Sequence, residues 1–360
     1  LRSLEVGESR LSASKALMDA SAQTDPDRLM SLLLPTISAE APRRPEPFVD
    51  PFVTAKGEVR ASVSFSGYKT LWFNTGSLCN IACKGCYIES SPKNDALSYL
   101  SFTEAICFLD EATRLHDVPE LIGFTGGEPF LNPHFIGMLS AALERQFHVL
   151  ILTNALRPLQ LKQDQLAALN HKYAGRISIR VSLDHFTKEG HEGIRGPRTW
   201  TPTMAGIDWL FSQGFRVSLA GRLPSLDHEA ALRRSYGELF HARGWPLNPL
   251  DPIQLILFPD ITDTRPVPEI SESCWSKVSV KPSDLMCANS RMVVRRRGEG
   301  SASVVACTLI AHDPAFDLGA TLQEAKRDVW LNHRSCARFC VLGGSNCAAQ
   351  AKSPAKSEQV

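Results

Sequence analysis

From Lys69 to Pro259 the sequence alternates short apolar runs with longer amphipathic stretches, and this rhythm constrains the fold more than any other feature. The runs are Leu71–Thr75, Leu121–Thr125, Val149–Thr153, Ile177–Leu183, Phe215–Ala220 and Ile253–Phe258. Between them, helical periodicity occupies residues near 101–116, 133–146, 160–171, 201–213 and 228–243. Strands alternating with helices form a parallel sheet. Six strands fall short of the eight of a closed barrel. The expected fold is therefore α/β: a partial (β/α)6 TIM-like barrel over residues 67–260, with its chemistry at the C-terminal ends of the strands. The first helix starts with Ser101 and Glu104 spaced as a capping box, followed by Ile106, Leu109, Ala112 and Leu115 on an apolar stripe.

Outside this stretch the rhythm is lost. Residues 1–66 read as an irregular, partly disordered leader, because Pro35, Pro42, Pro45, Pro47 and Pro51 interrupt it and only Ala16–Met30 has helical periodicity. Residues 261–350 read as a small cysteine-rich domain containing two short strands, Met292–Arg295 and Ser303–Ala306, and a helix near 321–332. Its apolar pattern is thin, so bound metal would support its fold. Residues 351–360 read as a flexible tail.

The chain has ten cysteines among 360 residues. No apolar run of about 18 residues is present to cross a membrane, and the first fifteen residues lack the apolar core of a secretory signal. A cytoplasmic setting is expected, where clustered cysteines hold metal or do redox work more often than they form disulfides. A net charge of +1 gives no reason to expect nucleic acid or an anionic membrane as partner.

Three cysteines, Cys79, Cys83 and Cys86, follow the first strand at C-x3-C-x2-C spacing. Three thiolates on one loop suit a cubane iron–sulfur cluster, leaving its fourth iron without a protein ligand. The competing reading is a structural zinc site lacking one ligand. The second strand ends in Thr125-Gly126-Gly127-Glu128-Pro129, where glycines let backbone approach a ligand and a carboxylate can accept from an ammonium group. Asn154 ends the third strand. On the fourth, Ser182 and Asp184 share a face by the period of two, and His185, His191, Glu192 and Arg195 follow.

Together these strings resemble the radical S-adenosylmethionine (radical SAM) superfamily. The resemblance implies that Cys79, Cys83 and Cys86 bind a [4Fe-4S] cluster whose open iron chelates SAM. Gly126, Gly127 and Glu128 then correspond to the motif that holds the SAM amino group, with Asn154, Ser182 at the ribose and Arg195 near the carboxylate. Family members often place an aromatic residue before the third cysteine to contact adenine. Here that position is Gly85, and Tyr87 follows the cysteines instead. Asp184 is open between a substrate-facing role and a helix cap. His134, His185 and His191 are acid–base candidates by type alone and read as ordinary histidines. Cys107 reads as a buried small hydrophobe. Arg295, Arg296 and Arg297 read as a solvated hairpin in preference to a phosphate contact.

In the C-terminal stretch, Cys287 and Cys307 flank the hairpin, and Cys336, Cys340 and Cys347 follow it. This arrangement resembles the SPASM/twitch domains that carry auxiliary clusters beside radical SAM barrels, and implies one auxiliary [4Fe-4S] cluster. Five cysteines for four positions leave one over. Cys347 is set aside first, Cys274 is a further candidate, and four thiolates suit zinc equally well.

The functional expectation is reductive cleavage of SAM to a 5'-deoxyadenosyl radical that abstracts hydrogen from a small-molecule or peptide substrate. An electron donor of the flavodoxin or ferredoxin type is implied. The alternative is a metal-stabilised binding or electron-transfer protein that never cleaves SAM, which leaves Gly126–Glu128 and the ordered strand-end polar residues unexplained.

Overall fold

The computed structural model describes residues 46–223, 228–259 and 266–343. In chain order its elements are β1 (Ser62–Val63), β2 (Thr70–Asn74), α1 (Phe102–Arg114), β3 (Leu121–Thr125), α2 (Phe135–Glu144), β4 (His148–Thr153), α3 (Arg157–Gln160) and α4 (Gln163–Lys172). Then come β5 (Ile177–Ser182), α5 (Lys188–Arg195), α6 (Trp200–Ser212), β6 (Arg216–Leu223), α7 (Glu229–Arg243), β7 (Leu255–Pro259), β8 (Ser290–Val294), β9 (Ser303–Val305) and β10 (Val329–Trp330). The six expected strands are β2 to β7, and they pair in parallel and in sequence order.

The strand sequences explain this sheet. In β2 and β3 every residue is buried, as a parallel strand covered on both faces requires. Side chains then sort by parity. Leu71, Phe73, Ile122, Phe124, Val149, Ile151, Ile179, Val181 and Leu219 belong to the large core on the helix side. Trp72, Leu121, Leu150 and Met292 form a second cluster on the inner face. Gly123 sits opposite Trp72, and a Cβ there would lie 2.3 Å from the indole. The absent side chain is what admits the tryptophan. Farther along the same parity, toward the strand ends, the inner face turns polar with Arg180, Ser182 and Arg222.

The helices follow their local signals. Ser101 and Glu104 form the expected capping box on α1, whose buried side chains are Ala105, Phe108, Leu109 and Ala112. Cys107 is exposed, contrary to the expectation of burial. At 100° per residue it falls outside the stripe that those four residues define.

The C-terminal hairpin extends the barrel sheet. Strand β8 pairs in parallel with β2, and β9 pairs antiparallel with β8. The helix expected near 321–332 is absent: these residues form turns and then β10, which pairs with β1. Carbonyls that a helix would occupy are taken by tertiary donors. Tyr68 Oη donates to Leu322 O, while Arg291 donates to Ala325 O and Arg327 O. A buried Arg60–Glu269 pair at 2.6 Å ties residues 48–60 to the chain before the hairpin. The helix expected at Ala16–Met30, Cys347 and the tail all lie outside the described residues. No helix among the described residues is long and apolar enough to cross a membrane.

Candidate functional site

At the C-terminal ends of the strands, one cavity of about 1080 Å³, counted to its open mouth, collects most of the site residues expected from the sequence. Its walls include Cys79, Cys83, Cys86, Tyr87, Gly126, Gly127, Asn154, Ser182, Asp184 and Arg195.

The cysteine loop is built on the neighbouring strand end by direct backbone contact. Gly127 N donates to Gly76 O at 2.8 Å and Glu128 N to Leu78 O at 3.2 Å. A Cβ on Gly127 would lie 2.1 Å from Leu78 O, and one on Gly126, whose φ is +137°, 2.6 Å from Gly76 O. The paired glycines therefore let two protein segments meet, in addition to any approach to a ligand. Gly85 has φ +58°, a left-handed conformation that an aromatic residue at this position would adopt only under strain.

Glu128 is placed differently from the expectation. It is buried and lies behind the cavity wall. Its carboxylate accepts from Thr153 Oγ1 at 2.8 Å, Asn154 N at 2.9 Å and Phe130 N at 3.4 Å. Burial pushes its pKa up to about 7, against the pull of these hydrogen bonds. It braces the ends of β3 and β4, while Thr125, Gly126 and Gly127 face the cavity. Asn154 in turn donates to Asn80 Oδ1 at 2.9 Å and approaches Cys79 Sγ at 3.8 Å, a distance suited to a weak bond to sulfur.

Opposite the thiols, Asp184 Oδ2 accepts from Arg195 Nε at 2.7 Å, and its Oδ1 lies 3.5 Å from Arg222 Nε. The carboxylate thus clamps two guanidiniums, a role beyond the cap or substrate contact foreseen for it. Burial works against the Arg195 charge, and Asp184 with Cys83 more than restores it. Arg222 also lies over the Tyr87 ring at 5.2 Å. Tyr87 is wedged edge-on against Phe258 and Phe339, and its hydroxyl donates to Pro259 O at 2.8 Å.

Arg180 and Arg222 were missed as site residues, although both sit at inner-face parity. Arg180 stands in the same string as Ser182. Arg222 escaped because the predicted fifth strand stopped at Ala220, whereas β6 runs to Leu223. The three histidines occupy different settings. His185 Nδ1 accepts from Thr187 N at 3.0 Å, His191 is buried against Trp200, and His134 precedes α2. Arg295, Arg296 and Arg297 pair with Glu104, Asp317 and Asp95, so the run clips the hairpin to its surroundings.

Burial pushes the Cys79 thiol up to about 12 and raises Cys83 as well. Such thiols stay protonated until a metal displaces the proton. Among the described residues no three His, Cys, Asp or Glu side chains converge closely enough for a single metal ion. The three cysteines instead ring a cavity, an arrangement with room for a polynuclear cluster. The donor set fits an iron–sulfur cubane.

The C-terminal cysteines gather separately. Cys287 is buried and Cys336 partly buried against the core, and desolvation raises both thiols, Cys287 to about 11. Cys307 and Cys287 lie within electrostatic reach of Cys336. Cys340 lies on the same single π-helical turn, Cys336–Val341. Cys274 faces the Ser271 hydroxyl at 3.5 Å.

Residues 73–229 match the Radical SAM superfamily. The chain is 31% identical over 144 residues to the antilisterial bacteriocin subtilosin biosynthesis protein AlbA of Bacillus subtilis, covering 39% of this chain and 30% of that protein. It is 29% identical over 165 residues to the mycofactocin maturase MftC of Mycobacterium tuberculosis, covering 44% and 40%. The match thus spans well under half the length of these relatives. Two solved structures share the fold. Streptococcus suis SuiB bound to precursor peptide SuiA has TM-score 0.52 at 12% identity, covering 76% of this chain and 70% of that one. Native anSMEcpe with bound AdoMet has TM-score 0.51 at 14% identity, covering 71% and 79%. The matched residues 73–229 contain the cysteine loop and the strand-end residues Gly126, Gly127, Asn154, Ser182 and Arg195 that line the cavity.

Proposed function

We propose that the chain cleaves SAM at a [4Fe-4S] cluster held by Cys79, Cys83 and Cys86, and acts on a peptide. The observation that carries this reading is the single cavity on which the three thiols, the Gly126–Gly127 backbone, Asn154, Ser182 and Arg195 converge. When bound, the cluster and SAM would supply a 5'-deoxyadenosyl radical able to abstract hydrogen.

The chain's own residues divide the remaining work. The backbone of Thr125–Gly127 takes the SAM amino group, with Glu128 fixing that strand end from behind. Arg195, held by Asp184, offers its remaining donors to the carboxylate, and Ser182 offers its hydroxyl to the ribose. Tyr87 and Phe258 give the cavity an aromatic wall for adenine. Apolar neighbours limit water around the reacting centre.

A second cavity shares Tyr87 and Leu309 with the first and is lined by Glu89, His312, Asp313, His333, Arg334 and Arg338. A neighbouring cavity that shares Tyr87 and Leu309 with the radical site suits an extended peptide. The relation to a bacteriocin biosynthesis protein favours the same class. Cys287, Cys307, Cys336 and Cys340 hold an auxiliary [4Fe-4S] cluster, making 67–260 the radical SAM barrel and 261–350 the auxiliary region. The electron donor is a flavodoxin- or ferredoxin-type protein, and the setting is the cytoplasm.

Anaerobic reconstitution tests the core of this reading. Iron and sulfide are measured, then 5'-deoxyadenosine after SAM and dithionite are added. Nucleoside formation is expected; intact SAM beside a fully loaded cluster rejects the enzyme.

A further inference from the structure

Two arginines are among the largest fully buried side chains of the molecule, Arg60 and Arg291. Their surroundings differ in one respect. Arg60 has a carboxylate, Glu269, at 2.6 Å. Arg291 makes four hydrogen bonds, all to backbone carbonyls: Nε to Ala325 O at 2.8 Å, Nη1 to Cys287 O at 2.6 Å and Ser290 O at 2.7 Å, and Nη2 to Arg327 O at 2.7 Å. Its guanidinium also lies 4.3 Å from the centre of the Phe65 ring. Among the described residues it has no carboxylate at ion-pair distance. Carbonyl dipoles satisfy its donors, while Tyr68, Cys287, Cys307 and Asp328 lie within electrostatic reach without pairing with it, and a buried charge without a close counter-charge is costly.

Two of these four groups are thiols. Cys287 is four residues before Arg291 and is joined to it through the carbonyl bond. Cys307 also lies within electrostatic reach of the guanidinium. As neutral thiols they offer no counter-charge. As thiolates around a cluster they form a buried anion, and net charge near a cluster is one of the settings of its reduction potential.

We propose that Arg291 is the built-in counter-charge of the C-terminal cluster, favouring its reduced state. The proposal rests on the two-cluster reading above. Arg291 acts through the field it imposes, so it is a positioning and tuning residue. The four carbonyl bonds fix the charge in place and prevent it from reaching solvent.

The test uses the full chain carrying Cys79→Ala, Cys83→Ala and Cys86→Ala, so that only the second cluster contributes, with redox titration followed by EPR. Arg291→Gln removes the charge and is expected to shift the one-electron reduction equilibrium toward the oxidised state at least tenfold, which is 59 mV. Arg291→Lys keeps the charge and is expected to stay within about threefold of the parent. If Arg291→Gln fails to fold, Phe65→Glu supplies the missing carboxylate while leaving Arg291 and its bonds in place, with Phe65→Gln as its uncharged control. Phe65→Glu is expected to shift the equilibrium in the same direction as Arg291→Gln, and Phe65→Gln to leave it unmoved. Iron bound at an unchanged potential in Arg291→Gln or Phe65→Glu overturns the counter-charge while the second cluster stands. Absence of iron from the triple-alanine parent overturns both.

Discussion

The Cys79–Cys86 loop and the Cys287–Cys340 region use the same ligand chemistry in opposite settings. The first lies at the rim of a cavity, beside Arg195, Arg222 and Asp184, and open to a second molecule. The second is packed against the core, with Cys287 buried and Cys307, Cys336 and Cys340 partly buried. The first loop takes its shape from local spacing and from the backbone of one adjacent strand. The second is assembled from a hairpin and a π-helical turn far apart in sequence. A thiol loop open to a second molecule suits chemistry on a bound cofactor; thiols packed against the core beside the buried Arg291 suit holding or relaying electrons.

The sharpest way to break this contrast is to remove one cysteine from each side. Cys83→Ala is expected to abolish 5'-deoxyadenosine formation and keep the C-terminal iron, whereas Cys336→Ala is expected to lose iron only from the C-terminal site. Metal analysis with EPR distinguishes them. Loss of all iron in either variant means that the two regions are not separate. Next, Gly127→Ala drives a Cβ to within 2.1 Å of Leu78 O, for an expected cost of about 4 kcal/mol and loss of iron from the first site alone. Denaturant unfolding measures the cost. Gly193→Ala, on α5 with nothing near its added methyl, should instead stabilise by about 0.5–1 kcal/mol.

Asp184→Asn removes the anion shared by Arg195 and Arg222. Breaking the buried Asp184–Arg195 pair costs about 3 kcal/mol, and SAM affinity should fall with it. Glu128 supplies a smaller, pH-dependent effect. Its folded pKa of about 7 stands above the ordinary 4.5, so the folded state holds a proton that the unfolded chain releases. Its contribution is complete below pH 4.5, falls by on the order of 1 kcal/mol per pH unit as pH rises toward 7, and is flat above that. Glu128→Gln should remove that slope in denaturant midpoints measured across the range. Smallest is Cys107→Ser, on the exposed face of α1, with an expected change within about 0.5 kcal/mol and unaltered iron.

The same contrast explains what could be read from the sequence. Short apolar runs, the capping box at Ser101 and the cysteine triplet are local patterns, so β2 to β7 and the first thiol loop could be anticipated to within a few residues. Long-range substitutions of partners could not. Residues 321–332 have helical composition, yet Arg291 and Tyr68 take their carbonyls. The hairpin carrying Arg295 looked separable, yet β8 completes a ladder with β2. Glu128 was assigned to a ligand by its motif, whereas Thr153 and Asn154 already fill its acceptor positions. Arg222 was lost through a strand boundary drawn three residues short.

The central claim is that the Cys79–Cys86 cavity brings SAM onto its own cluster. The most direct measurement is EPR of the dithionite-reduced full chain carrying Cys287→Ala, Cys307→Ala, Cys336→Ala and Cys340→Ala, recorded with and without SAM. A [4Fe-4S] signal whose g-values change when SAM is added is the predicted result. A loaded, reduced cluster whose spectrum SAM leaves unchanged would contradict it.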